Sequence, residues 1–434
     1  LKKVVFITVL CSLFSSIAFA QTEDSKARSG SVYSKIGVGY PVATANVAAQ
    51  SMGLLGVAYD EPFVSNLTNP AHLGSIVYGL GSGGIGIDSY NASNATESAT
   101  NSNFSVNQFQ LQLPILRGKL GISGSFSPVT EASFRTFNQE TRYIGDGVQQ
   151  DTVNLVMENE GSGGVNRAEF GLGWKINENI SVGYAASLMF MSIDDGFTAR
   201  FLQNSSASYR TSNYTVESNA VGFGNRFGTF IRVPDFLHSD DLLGIGASVS
   251  LPVSMSAEQK QTGTLNSGRV TLTKELPNSD GTIRMPTKIT GGLSYSPNNL
   301  LMFGLEGLYQ GWSNYKNDFK PSEEEMFVDR YKLGLGMQYL PYVTGSNKFL
   351  SNFKYRTGIS YDTGHIKLEG QQINTLKFSF GLGIRAPRSR SSIDLSFEYG
   401  IRGTSSSNLV KEQIFGVRLS LNLAEVMFYR PKLQ

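Results

Sequence analysis

The side chains that could do chemistry are few and far apart. Histidine occurs only at 72, 238 and 365. A metal site needs clustered ligands, and neither these residues nor the acidic pairs supply a cluster, so no metal and no cofactor is expected. Asp194-Asp195 and Asp240-Asp241 could hold Ca²⁺, but they read as solvated loop charges, as does Glu323-Glu324-Glu325. His365 beside Asp362 is the one local acid/base pairing of the kind a membrane-protease barrel uses, and on its own it does not make an enzyme. Gly81-Ser-Gly-Gly-Ile-Gly lacks the lysine and the following helix of a phosphate loop. The chemistry that recurs is cationic. Arg330, Lys332, Arg356, Arg385 and Arg418 share, by parity, the polar faces of their segments. They have two uses there: pairing with Glu306, Asp394 or Glu398, or meeting the head group of an anionic ligand. Arg330, Arg356, Arg385 and Arg418 are the head-group candidates.

What must hold these side chains is a set of strands. Arg284 to Trp312 gives the pattern most plainly. Leu301, Phe303, Leu305 and Tyr309 fall on one face, with Gly304, Glu306 and Gln310 on the other. In the half before it, Ile289, Leu293 and Tyr295 oppose Thr290 and Ser294. Period 2 means extended backbone with one apolar and one polar side. Ser296-Pro297-Asn298-Asn299 supplies the tight turn between the halves. Fourteen such segments follow one another, roughly 75–88, 104–114, 118–128, 163–175, 180–193, 218–232, 242–254, 284–296, 300–312, 329–340, 352–363, 373–386, 391–401 and 411–423. Most approach the ~10 residues of a tilted membrane-spanning strand. Connections after odd segments tend to be long and polar, while 115–117, 176–179, 297–299 and 387–390 are short. Even-stranded transmembrane barrels have this asymmetry of outer loops and periplasmic turns.

Composition points the same way. Of 434 residues only 17% are charged, against roughly 25% in a typical soluble domain. The formal net charge of +2 is scattered, which argues against nucleic acid. Leu1 to Ala20 reads as a signal peptide, with Lys2-Lys3, an apolar core from Val4 to Ile17, and Ala18-Phe19-Ala20 at the cleavage site. Its removal takes two lysines, leaving a net charge of zero, and takes Cys11, the only cysteine. Thiol and disulfide chemistry are then absent. So many long apolar faces exceed what a soluble monomer leaves to water, and the charged opposite faces cannot form a soluble core. Lipid must be the solvent on the apolar side, and closure into a barrel removes the unpaired strand edges that hydrocarbon forbids. Aromatic residues at segment ends fit interfacial girdles, Tyr295 and Tyr339 at the periplasmic rim and Tyr309, Trp312, Tyr331 and Tyr361 at the outer one. The expected fold is all-β, a transmembrane antiparallel β-barrel of about 14 strands in the bacterial outer membrane. Residues 21–74 do not alternate and include a helix-compatible run from Val42 to Met52, so they form a partly helical plug. The expected divisions are 1–20 signal peptide, 21–74 plug, 75–423 barrel and 424–434 periplasmic tail.

Two stretches carry a resemblance. Met52-Gly-Leu-Leu-Gly-Val-Ala-Tyr followed by Asn69-Pro70-Ala71-His72-Leu73 resembles the N-terminal hatch of the outer-membrane long-chain fatty acid transporters (the FadL/OmpP1 family). Pro286 to Tyr295 with Trp312-Ser313 resembles that family's central hairpin, and Tyr355 to Tyr361 and Phe378 to Ile384 also fit. His72 departs from the usual small residue after Asn-Pro-Ala. Phe428-Tyr429-Arg430-Pro431-Lys432 resembles endings of Bacteroidetes members, some of which serve a secretion machine. The resemblance implies passive uptake of fatty acids or other small hydrophobic molecules. They would enter through a groove in the outer loops, pass a movable hatch marked by Asn69, Pro70 and Ala71, and leave sideways into lipid at a kink in the third strand. Gly121, Gly124 and Pro128 are the kink candidates, since Gly and Pro are what a broken strand contains. The alternative is a barrel that binds a protein partner as shuttle or accessory of a secretion system, with a plugged lumen.

Overall fold

The computed structural model describes residues 30–425 apart from 67, 146–149, 203–210, 267–270, 342–348, 386–390 and 408. The expected signal peptide and residues 426–434 of the expected tail lie outside the described residues. Fourteen antiparallel strands close into a barrel. They are β1 (Gly79–Ser93), β2 (Ser98–Leu116), β3 (Leu120–Pro128, resuming at Phe134–Gly145), β4 (Gln150–Lys175), β5 (Ile180–Phe201), β6 (Thr211–Pro234), β7 (Leu242–Ser250, continuing as Val253–Asn266) and β8 (Ser279–Met285, continuing as Lys288–Asn298). The remainder are β9 (Leu301–Gln310), β10 (Arg330–Tyr339), β11 (Phe353–Asp362), β12 (Thr375–Arg385), β13 (Ser392–Arg402) and β14 (Lys411–Glu425). Closure is made by β1 on β14, in register from Gly79↔Glu425 to Ser93↔Lys411. β4 has 26 residues and β5 has 22, more than twice the ~10 needed to cross a bilayer. Much of what the sequence presents as long polar loops is strand rising above the membrane. With water on both sides there, the alternation fades.

The apolar faces point outward. Phe223, Leu333, Leu335, Phe378, Phe397, Phe415 and Leu421 are all exposed, whereas Glu306, Asp394, Ser396 and Asn422 on the opposite parity are buried. Trp312 is a correction to the girdle expected at the outer rim. It is wholly buried, stacked on Phe327 with ring centroids 5.6 Å apart. The chain turns into the lumen in the 3₁₀ turn Trp312–Asn314 just after β9.

The first strand begins at Gly79 rather than Ser75 because Pro70–Ser75 is a 3₁₀ helix. Asn69 caps it by accepting the Ala71 N–H, and Pro70, which has no N–H to lose, takes the first position. Of the helix-compatible run, only Val47–Gln50 is α-helix, capped by Asn46. The segment from Gly30 to Ser75 packs against inward-facing glycines around most of the wall. At Gly358 of β11 a Cβ would stand 1.9 Å from the Met52 carbonyl oxygen, and at Gly228 of β6 it would stand 2.1 Å from Asn69 Oδ1. Only glycine lets the segment come so close to the wall.

Polar groups fasten the segment to the wall. The Glu306 carboxylate accepts the N–H groups of Leu55 and Gly56 at 2.6 Å and of Ala58 at 2.7 Å. Asp60 pairs with Arg232. Glu61 meets Lys354 at 2.7 Å. Asn69 donates to the carbonyls of Val57 and of Thr229 in β6. At the outer end Glu412 accepts from Ser31 and the Val32 N–H, and Arg402 closes on Glu412 at 3.2 Å. Burial and the Glu412 carboxylate push the Tyr33 hydroxyl up to about 12, so it stays protonated and donates to the Val410 carbonyl.

Two predictions follow from this fit. Gly358→Val drives a side chain into Met52, whereas Gly124→Val enters open space on the outer face. In gel assays of heat-modifiable barrel folding, the first should lower the folding yield and transition temperature, and the second should stay within about 0.5 kcal/mol of the parent. Glu306→Gln removes the charge from three hydrogen bonds and should weaken seating of the segment by about 2–3 kcal/mol, read as faster proteolysis between 30 and 75.

Candidate functional site

The wall is interrupted at one place among the described residues. β3 pairs with β2 from Leu116↔Leu120 up to Phe109↔Phe126. Beyond Phe126 no pairing joins the two strands, although β2 runs on to Ser98 along β1. At Pro128 the chain leaves the wall. Thr130 and Glu131 pair instead with Pro41 and Tyr40 of the N-terminal segment. Ser133 accepts the Gly30 N–H with its carbonyl and donates its N–H to Ser34. Re-entry is at Phe134, which pairs with Gly161 of β4. Burial runs unbroken from Ala132 to Phe134, where a strand in the wall would alternate.

Two glycines on the neighbouring strand make room for this excursion. Gly163 and Gly164 have φ of +109° and +143°, values L side chains rarely adopt. A Cβ at Gly164 would stand 2.3 Å from the Thr130 carbonyl oxygen. The backbone polar groups freed by the break find partners. Val129 donates to Val165, Ala132 to Gly163, and Val165 to Thr130 Oγ1. On the other lip, Asn107 is a one-residue bulge in β2 opposite Gly84 and Ile85, and bulges re-aim the side chains next to them.

A cavity of about 360 Å³ lies at the gap. Its lining joins both sides of the wall. Phe104, Val106 and Phe126 are exposed residues of the outer face, while Asp88, Tyr90, Arg402 and Arg418 are buried residues of the inner face. A hydrogen bond from Asn103 Nδ2 of β2 to Glu131 Oε1 spans the opening. One end is therefore greasy and the other charged.

The sequence-predicted residues fall in three groups. Asn69, Pro70 and Ala71 form the capped turn seated on Gly173, Gly183 and Gly228. Pro128 is the last residue of β3 before the break. Gly121 faces inward, with Leu73 and Ile76 against it, and Gly124 faces outward into open space. Both lie within the regularly paired part of β3. Three of the four arginines are paired. Arg330 Nη2 holds Asp362 at 2.6 Å, Arg356 Nη1 holds Asp394 at 2.6 Å, and Arg418 holds Asp88 at 3.1 Å and Glu398 at 2.9 Å. Arg385 ends β12, and its side chain lies outside the described residues. Gly163 and Gly164 escaped the sequence reading. The run Gly161-Ser-Gly-Gly was their signal, too glycine-rich for the strand interior it interrupts.

Four of the remaining titratable candidates have structural surroundings that account for them. Asp362 is taken by Arg330 and the Gly364 N–H. His365 is fully buried and tilted against Trp312, with centroids 4.5 Å apart. Burial and the nearby Arg330 hold it well below the usual histidine value, so it is neutral. Asp241 caps a turn by accepting the N–H groups of Phe236, Leu237 and His238. Asp195 pairs with Lys320 at 2.9 Å. No group of three or more His, Cys, Asp or Glu that could hold a metal occurs among the described residues.

Several solved structures share this fold at low sequence identity. A Pseudomonas aeruginosa FadL homologue superposes with a TM-score of 0.59 at 13% identity, covering 89% of this chain and 99% of that one. The toluene transporter TbuX of Ralstonia pickettii gives 0.57 at 15%, covering 88% and 98%. The toluene transporter TodX of Pseudomonas putida gives 0.55 at 15%, covering 89% and 99%. At such identities the likeness is one of fold, and it agrees with a multi-pass barrel of the bacterial outer membrane. No curated protein matches the chain in sequence. A family model described as BamG matches residues 1–434, the whole length. The chain belongs to the BamG family.

Proposed function

We propose that this barrel is a passive outer-membrane channel for small hydrophobic molecules, fatty acids among them, which leave its lumen sideways through the gap at the third strand. The observation that carries this reading is the single cavity reaching from exposed Phe104 and Val106 to buried Asp88 and Arg402. A hydrophobic solute crossing there passes from wall to lipid without entering the periplasm. The upper lumen supports an apolar approach. Met189, Met191, Met255 and Met285 pack with Trp312 and Phe327 in one buried cluster, and methionine repacks readily around varied shapes. The hatch movement in this mechanism is local. Parting Tyr40–Pro41 from Thr130–Glu131 opens the approach, while Glu306 and Asn69 keep the rest of the segment seated. The reading involves no catalysis. The proposed domain plan is the one expected from the sequence, with the lumenal segment as hatch and β1 to β14 as barrel.

A second reading, a partner-binding barrel serving protein secretion, is favoured by the density of those fastenings. Glu306, Asp60, Glu61 and Glu412 tie the segment to four parts of the wall. That reading predicts cargo or translocon components retained on the purified barrel after in-cell cross-linking, and an unhindered supply of hydrophobes in a deletion strain.

Closing the gap separates the two. Asn103→Cys with Glu131→Cys places two thiols where a hydrogen bond now spans the opening. In cells lacking the native copy, uptake of radiolabelled oleate or toluene should drop to the deletion level when this variant is oxidised and return on reduction. Uptake indifferent to the cross-link would remove the channel reading.

A further inference from the structure

We propose that the lumen contains a binding site for an oxyanion, either a free ion or the acidic head of an amphiphile, between Lys288 and Lys332. The register puts Lys288, Gln310 and Arg330 in one cross-strand row and Thr290, Leu308, Lys332 and Asp362 in the next. Neighbouring strands lie ~4.8 Å apart. Lys288 and Lys332 are two strands and one pleat apart, so their long side chains reach a common volume above Leu308. Two cavities of about 80 and 70 Å³ lie there, between the wall and Pro41, Val42 and Thr44 of the N-terminal segment. Lys288 and Arg330 line both.

Charge decides what such a place would take. Seven cationic side chains line the two cavities against three carboxylates, and each carboxylate is already engaged. Asp362 is held by Arg330, Glu398 by Lys377 and Arg418, and Glu169 by Arg226. Arg402 has Glu412. Lys288 and Lys332 have no ion-pair partner among the described residues. An ammonium withdrawn from bulk water without a counter-charge is unfavourable, and cations gathered this closely repel until an anion joins them. Each cavity has room for a few heavy atoms, too little for an acyl chain. The larger cavity at the gap shares Tyr40 to Ala43, Lys377 and Arg402 with the 80 Å³ one, so an amphiphile with its head here would direct its tail toward the opening. Of the four arginines singled out by sequence parity only Arg330 lines it, and there Arg330 is held by Asp362. The site also stands whether or not the gap passes solutes.

Equilibrium dialysis of the full chain in neutral detergent tests it, with radiolabelled inorganic phosphate and, separately, laurate as probes. Saturable binding of either probe is expected, weakened about tenfold or more by Lys288→Gln with Lys332→Gln and largely kept by Lys332→Arg. Heat-modifiable migration on gels confirms that each variant is folded, and Lys332→Gln alone serves if the double variant is not. Binding of phosphate identifies a free-ion site, and binding of laurate alone identifies a head-group site. Absence of saturable binding by both probes, or equal affinity in the folded glutamine variants, overturns the proposal. Neither result depends on uptake, so the channel reading can fail separately.

Discussion

Hydrocarbon offers no partner to a backbone N–H or C=O, so a wall facing lipid must satisfy every such group from within. The barrel does this by closing β1 on β14. The one departure among the described residues, at Pro128, is possible because the N-terminal segment stands in for the missing strand. Tyr40 and Pro41 take Glu131 and Thr130 as ladder partners, Ser34 and Gly30 take Ser133, and β4 supplies the Val165 and Gly163 carbonyls. The lumenal segment is thus part of the wall's hydrogen bonding as well as its filling. Any motion that opens the gap must first release this short two-stranded patch.

The lumen is built in two levels. Lower down, the wall presents glycines, and the segment lies against them backbone to backbone, fastened by Glu306, Asp60 and Glu61. Higher up, the inward positions become apolar, with Met189, Met191 and Ile193 on β5 and Met255 on β7. Charge and grease therefore succeed each other along the inner face. The gap lies where they meet, with Phe104 and Phe126 at its outer lip and Arg402 and Arg418 behind.

Alternation made the membrane-facing half of the fold readable. Phe415, Val417, Leu421 and Leu423 could be assigned to lipid from the sequence, and all are exposed. Where both sides of a strand are buried in protein or bathed in water, period 2 carries no message. The inward methionines and the outer extensions of β4 to β8 were accordingly invisible. Parity also slips where β7 and β8 each pause, at Leu251-Pro252 and at Pro286-Thr287, which turns Met285 and Lys288 to the same side despite their odd spacing. Of the candidate site, Pro128 was visible as a proline ending an alternating run. Gly163 and Gly164 were not, because their role depends on a neighbour more than thirty residues away. Arg330, Arg356 and Arg418 are buried, as parity placed them, but partners such as Asp362 and Asp394 belong to other strands, and register cannot be read from one strand alone.

The most direct test of the account is oxygen accessibility of nitroxide labels placed singly from 122 to 136 in the reconstituted barrel. High and low values should alternate through Ile122, Gly124 and Phe126, then stay low from Thr130 to Phe134 as the chain leaves the lipid. Alternation continuing unbroken through 136 would mean an intact third strand, no lateral gap, and no role for Tyr40–Pro41 in the wall.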